Sequence, residues 1–325
     1  MTKKRHHYVP TAYLRPFCGD DGKLYIYRKD DPEKVIQQSP DSVAFHKHYY
    51  SQPLPGGGHD HDKLEDFFSK CETKWPGIVE QFRARKNVNS RLGDIFAFIA
   101  LQRARVPAAR DACEKILAET VKVVTRQMDA QGKLPPPPKG FEDILDHVDV
   151  AIDPHQSIHA MVPIIRGIGK LLCQIGICVA HNKTKVPFLT SDNPVIWFDP
   201  SLSESEMRPY AVRLGGPIML LFPVAPDLMV YGDSSMQEYF GQHGLSYGEQ
   251  TNVRAVKAIN QYVCRFAYET VFASKPGFGE LVKEHADVSP VIRTVTIPAT
   301  KGQYILHQYV WGQRIRKPKW KRGDQ

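Results

Sequence analysis

The chain has 325 residues, 42% hydrophobic and 24% charged, a globular balance that excludes a disordered or fibrous protein. The formal net charge is +8 and the pI near 9.0. A core this size needs no disulfide staples, and at roughly 100–200 residues per domain the chain predicts one large domain over 1–325 or two intimate ones.

In chain order, residues 1–60 read as short strands and turns. Leu24–Arg28 is a strand of β-favouring residues after a Gly22 turn. Pro53–Asp62 must be a loop, because three successive glycines hold no regular element. The character turns helical over 61–173. Leu64, Phe67, Phe68 and Cys71 fall at helical spacing, as do Leu92, Ile95, Phe96 and Ile99 within Arg91–Arg105. Pro107 ends or kinks that helix. A further helix carries Cys113, Ile116, Leu117, Val121, Val124 and Met128 on one face. Gln131–Gly140 is a polyproline connector. Helices follow over Phe141–Val148 and Ser157–Cys173, the second interrupted at Pro163.

The part from 174 to 310 is sheet-rich. Ile177–Ala180, Pro187–Thr190, Val195–Phe198, Ile218–Phe222 and Leu228–Tyr231 are short, β-branched or aromatic runs between turn residues, expected as strands of one sheet. Pro200–Pro217 reads as a long loop. A helix over Gly248–Tyr262, a strand over Phe266–Thr270 and a mixed tail complete the chain. The fold class is α+β: a helical bundle packed on a mostly antiparallel sheet, which the N-terminal strands can join.

The positive charge lies in two arms. Lys3, Lys4 and Arg5 open the chain, and Arg314, Arg316, Lys317, Lys319, Lys321 and Arg322 crowd the basic tail 311–325, leaving the remainder close to neutral. Such arms attract nucleic acid or another polyanion, and Trp320 can stack on a base, although a merely solubilising terminus has the same composition. The most apolar runs, Leu171–Ala180 and Pro217–Val224, fall far short of the roughly 20 residues of a membrane span, so no membrane association is expected. The basic N-terminus has no apolar run after it, and the six cysteines form no Cys-x-x-Cys. A reducing, cytoplasmic setting follows.

Three polar constellations stand out. His6 and His7 are adjacent in an extended segment and must point to opposite faces, so they cannot easily share one metal ion. One can serve as a general base or ligand; alternatively Tyr13, Leu14 and Phe17 clamp this segment to the core. Gln102 and Arg103 continue the apolar stripe of Ile95, Phe96 and Ile99, with Arg105 close by, and buried there each needs partners. An arginine so placed forks onto a carboxylate or a phosphate. Thr190-Ser191-Asp192-Asn193-Pro194 is a good turn sequence, and it also sets a lone carboxylate between apolar strands. His59-Asp60-His61-Asp62 reads as a solvated loop with Asp62 capping the next helix, and His155 and His159 lack the intervening Glu of a zinc-protease helix. No Walker loop, Gly-x-Gly-x-x-Gly or Gly-x-Ser-x-Gly occurs.

The string His6-His7-Tyr8-Val9-Pro10, then Tyr13-Leu14-Arg15 and Phe17, then Leu24-Tyr25 after a glycine, resembles the opening signature of the family called domain of unknown function 4238. Leu101-Gln102-Arg103 with Arg105 and Pro107, Thr190–Pro194, and Asn260 followed by the aromatic Tyr268 extend the likeness over most of the chain. Pro16 stands where a polar residue is expected. The resemblance implies a single large domain in a bacterial-type cytoplasmic protein and brings no activity with it.

Two functions compete. In the first, the motifs form an anion-binding or structural polar network and no bond is broken. In the second, His6 or His7 and Asp192 are catalytic in a hydrolase acting on a phosphate-bearing or nucleic-acid substrate. A divalent metal ion would be its cofactor, and Arg15, Gln102, Arg103, Arg105, Ser191 and Asn193 would bind substrate. Convergence of these residues around an open pocket separates the two.

Overall fold

The computed structural model describes residues 4–213, 215–300, 302–319 and 321; Trp320, Lys3 and Arg322 lie outside them. Strand β1 (Arg5–His7) leads into the short helix α1 (Thr11–Leu14), which Pro10 opens. Strands β2 (Leu24–Arg28), β3 (Asp31–Gln38) and β4 (Phe45–Lys47) follow, and β5 (Gln52–Pro53) pairs with β6 (His59–Asp60) around the glycine loop. Helices α2 (Lys63–Glu72), α3 (Trp75–Arg83), α4 (Leu92–Arg105), α5 (Pro107–Ala130), α6 (Ile144–His147), α7 (Pro154–His159) and α8 (Met161–Leu172) make the helical part. The sheet-rich part runs through β7 (Gly176–Asn182), β8 (Thr190–Ser191), β9 (Ile196–Phe198), β10 (Met219–Ala225), β11 (Leu228–Asp233), α9 (Gln237–His243) and β12 (Ser246–Gln250). After α10 (Val253–Phe266) come β13 (Thr270–Ala273), α11 (Gly279–Glu284) and the long hairpin β14 (Ser289–Ala299) and β15 (Gly302–Gly312).

Two sheets organise these elements. The larger has the order β12-β7-β11-β10-β9 and is antiparallel except where β12 runs parallel to β7. The smaller has the order β3-β2-β13-β8 and is antiparallel throughout. Alternation along the large sheet explains its near-continuous apolar runs. Leu220, Phe222, Leu228, Val230, Ile177 and Val179 face one core, with Trp75, Phe82, Ile95, Phe98 and Leu172 from the helices. The intervening Leu221, Met229, Ile196 and Phe198 face a second core, with Val256 and Val263 of α10 and Val271 of β13. Helices therefore cover one face, and α10 with the small sheet covers the other.

Several sequence expectations shift. The strand-like runs divide between two sheets, because β8 joins β13 while β7, β9, β10 and β11 stay together. The N-terminal strands β2 and β3 join the smaller sheet. The helix expected over Gly248–Tyr262 is displaced to α10, since Asn252 caps it by accepting from the Arg254 and Ala255 amides, and β12 occupies the preceding residues. The strand expected over Phe266–Thr270 is β13, four residues later. Helix α6 keeps only Ile144–His147 of Phe141–Val148, and the break in the next helix falls at Ala160, with Pro163 inside the first turn of α8. Val121, Val124 and Met128 of α5 are exposed, so this stripe is not core. Asp62 makes no side-chain cap; Asp60 accepts from the amides of Asp62 and Lys63 instead. No described helix is long and apolar enough to cross a membrane.

Tyr13 ties the N-terminal segment to both sheets. It is fully buried and stacks on Phe222 with ring centroids 5.3 Å apart. Its hydroxyl lies 2.6 Å from Thr190 Oγ1 and donates to the Pro223 carbonyl at 2.6 Å. Replacing Tyr13 with Phe keeps the ring and leaves that buried carbonyl without this donor, at a cost of about 1–3 kcal/mol. Urea unfolding should show a lower midpoint with an unchanged m-value; an unaltered midpoint would refute this role.

Candidate functional site

Strand β1 pairs with β4 in the register His6–His46. His6 is buried, stacks on Tyr50 and accepts the Tyr50 amide proton at Nδ1, 2.9 Å away. His7 turns to the opposite side, half-buried against Phe45. The backbone between them is held from α4. Arg105 donates from Nη2 to the His7 carbonyl at 2.5 Å and from Nε to the Tyr8 carbonyl at 3.1 Å. Gln102, one turn earlier, donates to the same Tyr8 carbonyl at 3.1 Å. Glu72 pairs with Arg105 Nη1 at 2.5 Å. Arg105 is thus a forked clamp on two carbonyls and one carboxylate, a geometry lysine cannot reproduce.

Arg103 points elsewhere. It is buried with its guanidinium 4.0 Å from the Tyr210 ring centre, and the Trp197 and Tyr309 rings are 5.6 and 5.9 Å away. Nη2 donates to the Tyr309 hydroxyl at 3.2 Å, while Nε and Nη1 have no hydrogen-bond partner among the described residues. Asn193 meets the other end of Tyr210, donating to its hydroxyl and to the Phe266 carbonyl, both at 2.7 Å.

Asp192 is buried. Its Oδ1 accepts the Tyr268 amide at 2.7 Å, and its Oδ2 accepts the Glu269 and Thr270 amides at 2.7 and 3.0 Å. Burial pushes its pKa up to about 7, with the Tyr268 and Glu269 amide bonds pulling the other way. Ser191 accepts the Asn193 amide and completes the turn. The motif thereby fixes the corner between α10 and β13.

The structure therefore gathers His6, His7, Gln102 and Arg105 around the backbone of residues 6–8, and Arg103 with Asn193 around Tyr210. Asp192 and Ser191 hold the next corner, and Arg15 stands exposed at the surface. None of these nine residues lines either of the two cavities described next. Among the described residues, no three His, Cys, Asp or Glu side chains group so as to hold a metal ion.

Those cavities, of about 430 and 710 Å³, adjoin one another beneath the C-terminal arm, and Asp111, Glu114, Tyr268, Arg314 and Lys317 line both. Tyr268 and Glu269 project from the corner that Asp192 holds. The Tyr268 hydroxyl donates to Asp111 Oδ2 at 2.6 Å. Arg314 pairs with Glu269 at 2.6 Å and lies 4.9 Å from the Tyr268 ring centre. Lys317 donates to Asp111 Oδ1 at 2.7 Å and to Glu114 Oε2. Glu114 takes the Ser157 hydroxyl on its other oxygen at 2.8 Å, and Arg110 donates to that Ser157 oxygen at 3.0 Å. Sequence reasoning followed the apolar face of α5 and passed over this acidic pair. Its one visible signal was the spacing of three between Asp111 and Glu114, which puts both on one helix face.

The molecule is thus an α+β protein with a motif-braced frame and a charged cleft closed by its own arm. Residues 5–277 match the family model described as protein of unknown function (DUF4238), and the chain belongs to that family. No curated protein and no solved structure matches it. The cleft walls Asp111, Glu114, Tyr268 and Glu269 fall inside the matched region; β14, β15 and the arm lie beyond it.

Burial lowers the pKa of His7, opposed by its hydrogen bond to the Asp41 backbone and reinforced by the Arg105 charge. Burial likewise lowers those of His46, His181 and His285. The unfolded chain then takes up these protons first. Their contribution to stability is complete above the ordinary value of 6.5 and is lost as pH falls through it toward the folded values. Asp192, shifted upward, works in the opposite sense, its contribution being lost as pH rises through about 7. Replacing His7 with Phe should therefore reduce the loss of Tm on going from pH ~7.5 to ~5.5 relative to the wild type. An equal loss in both proteins would remove His7 from this account.

Proposed function

We propose that this is a binding protein whose three motifs form a structural polar network, with no catalysis required of them. The observation that carries the reading is the placement of Asp192. A carboxylate that accepts three backbone amides has its oxygens directed at the fold and away from a reacting atom. Arg105 and Gln102 are occupied in the same way by carbonyls of the N-terminal segment. The chain 1–325 then acts as one domain, because a single apolar cluster draws on the N-terminal, helical and sheet-rich parts together. Six free cysteines support a reducing, cytoplasmic setting. Arg316, Lys319 and Lys321 remain exposed and keep a polyanion, nucleic acid included, as a partner.

Asp192→Asn turns an amide NH₂ toward backbone donors and should destabilise the fold by about 1–3 kcal/mol. Wild type and variant should be equally inert toward mixed DNA and RNA with magnesium or manganese. Cleavage by the wild type that disappears in a folded Asp192→Asn protein would establish the metal-dependent hydrolase instead, with His6 or His7 as base.

The unpartnered Nε and Nη1 of Arg103 favour a second reading of the network, as a receptor for a small anion. A buried guanidinium stays charged and its free donors need acceptors. Phosphate should then raise the wild-type Tm above that in chloride at equal ionic strength and leave Arg103→Met unmoved. Equal Tm values in the two salts would sink the anion receptor while leaving the structural network standing.

A further inference from the structure

The cleft beneath the arm contains a nearly buried acid. The Glu114 side chain is only 6% exposed, and Asp111 lies beside it on the same face of α5. A carboxylate withdrawn from water at this depth requires a cation or strong donors. Ser157, oriented by Arg110, serves one oxygen of Glu114. The cation on its other oxygen is Lys317, which lies beyond the family-matched residues 5–277 that contribute the acids. The second anchor repeats the arrangement: Glu269 and the Tyr268 ring belong to the matched part, and the Arg314 guanidinium that meets them does not.

Between the anchors the arm is loosely held. Ile315 is 83% exposed and Arg316 is exposed. Arg314 and Lys317 are themselves partly solvated, and their pairs with the partly exposed Glu269 and Asp111 are individually weak. A tether supplies the rest, since linking a weak segment to its site gives an effective concentration of order millimolar. The walls are selective in kind. A guanidinium stacks on an aromatic face better than an ammonium does, and a compact ammonium suits the gap between two carboxylates.

We propose that this cleft is a receptor for an extended basic peptide segment of a partner protein, with a guanidinium at one position and an ammonium three residues later. The arm over 313–319 occupies it as a tethered stand-in. The proposal rests on the binding reading above and adds the ligand class. Glu269 and Tyr268 take the arginine, Asp111 and Glu114 take the lysine, and a partner segment enters by exchanging with the arm.

The test uses the full chain and a fluorescein-labelled peptide, Gln-Arg-Ile-Arg-Lys-Pro-Lys, read by anisotropy. Arg314→Ala with Lys317→Ala frees the cleft and should bind the peptide at least about tenfold more tightly than the wild type, whose own arm competes. Adding Glu114→Gln to that protein should weaken binding by about tenfold or more, as should a scrambled peptide of the same composition. Lys317→Gln alone is the milder variant if the double change lowers Tm. No binding to a freed, folded cleft overturns the proposal. So does equal binding of the scrambled peptide, or of spermine at matched charge, which would reduce the cleft to a patch of negative potential. Because the readout is peptide binding, its failure is separate from that of the non-catalytic reading, which nucleic-acid cleavage decides.

Discussion

A carboxylate buried without donors would be among the most unfavourable groups this fold could contain, and the way Asp192 avoids that state fixes much else. Its two oxygens collect the amides of Tyr268, Glu269 and Thr270, three successive residues where α10 gives way to β13. Its own amide donates back to the Thr270 carbonyl. The chain cannot leave α10 in another direction without stripping those bonds. Once the corner is set, β13 runs between β2 and β8 and closes the small sheet. The side chains of Tyr268 and Glu269 are thereby delivered to the cleft. Asp192 never touches the cavity, yet the position of its wall depends on it.

A second constraint acts from the α4–α5 corner. Val106 precedes a proline and is extended, as sterics require, so α4 stops at Arg105 and α5 starts afresh at Pro107. Three buried arginines surround this break and diverge because of it. Arg103 enters the aromatic box of Trp197, Tyr210 and Tyr309. Arg105 clamps the His7 and Tyr8 carbonyls. Arg110 holds the Tyr49 and Pro154 carbonyls and stacks on the Tyr49 ring. Tyr8 and Tyr49 lie outside helix and strand, and His7 and Pro154 stand at the end of β1 and the start of α7, places where carbonyls can go unsatisfied. Guanidinium forks supply several donors at fixed angles from a single side chain, and here they replace a missing strand.

Elements with one dominant local signal were legible in the sequence. LYIYR formed β2, and the stripe Ile95–Ile99 formed α4, because periodicity there matches burial. The opposite orientation of His6 and His7 followed from strand geometry alone. Long-range partners were not legible. Pro187–Thr190 reads like the neighbouring strands, and only the pairing of Thr190 and Ser191 with Phe272 and Val271 assigns β8 to the other sheet. The β14–β15 hairpin was missed because it packs on α5 and α10 over one face, leaving Val295, Ile297, Tyr304 and Leu306 exposed. Its residues lack the contrast of a half-buried strand. The motifs were visible as unusual polar residues among apolar ones. Whether such residues meet a ligand or the backbone is set by which carbonyls and amides lie nearby, and a sequence does not list them.

The cleft was hidden for a related electrostatic reason. Read along the chain, the positive charge separates into two arms and a near-neutral body, and the arm looks free to meet a polyanion. Folding brings that arm against acids the body contributes, so Arg314 faces Glu269 and Lys317 faces Asp111 and Glu114. A net charge summed over a segment cannot show this, because pairing depends on which acids share its surface. The consequence is a competition built into the molecule. Any polyanion that draws on Arg314 and Lys317 must leave Asp111 and Glu114 without their cation, and Glu114 is too deeply placed for water alone to compensate it well. A cationic ligand entering the cleft would relieve that penalty and release the arm. By linkage, polyanion on the arm and cation in the cleft would each strengthen the binding of the other.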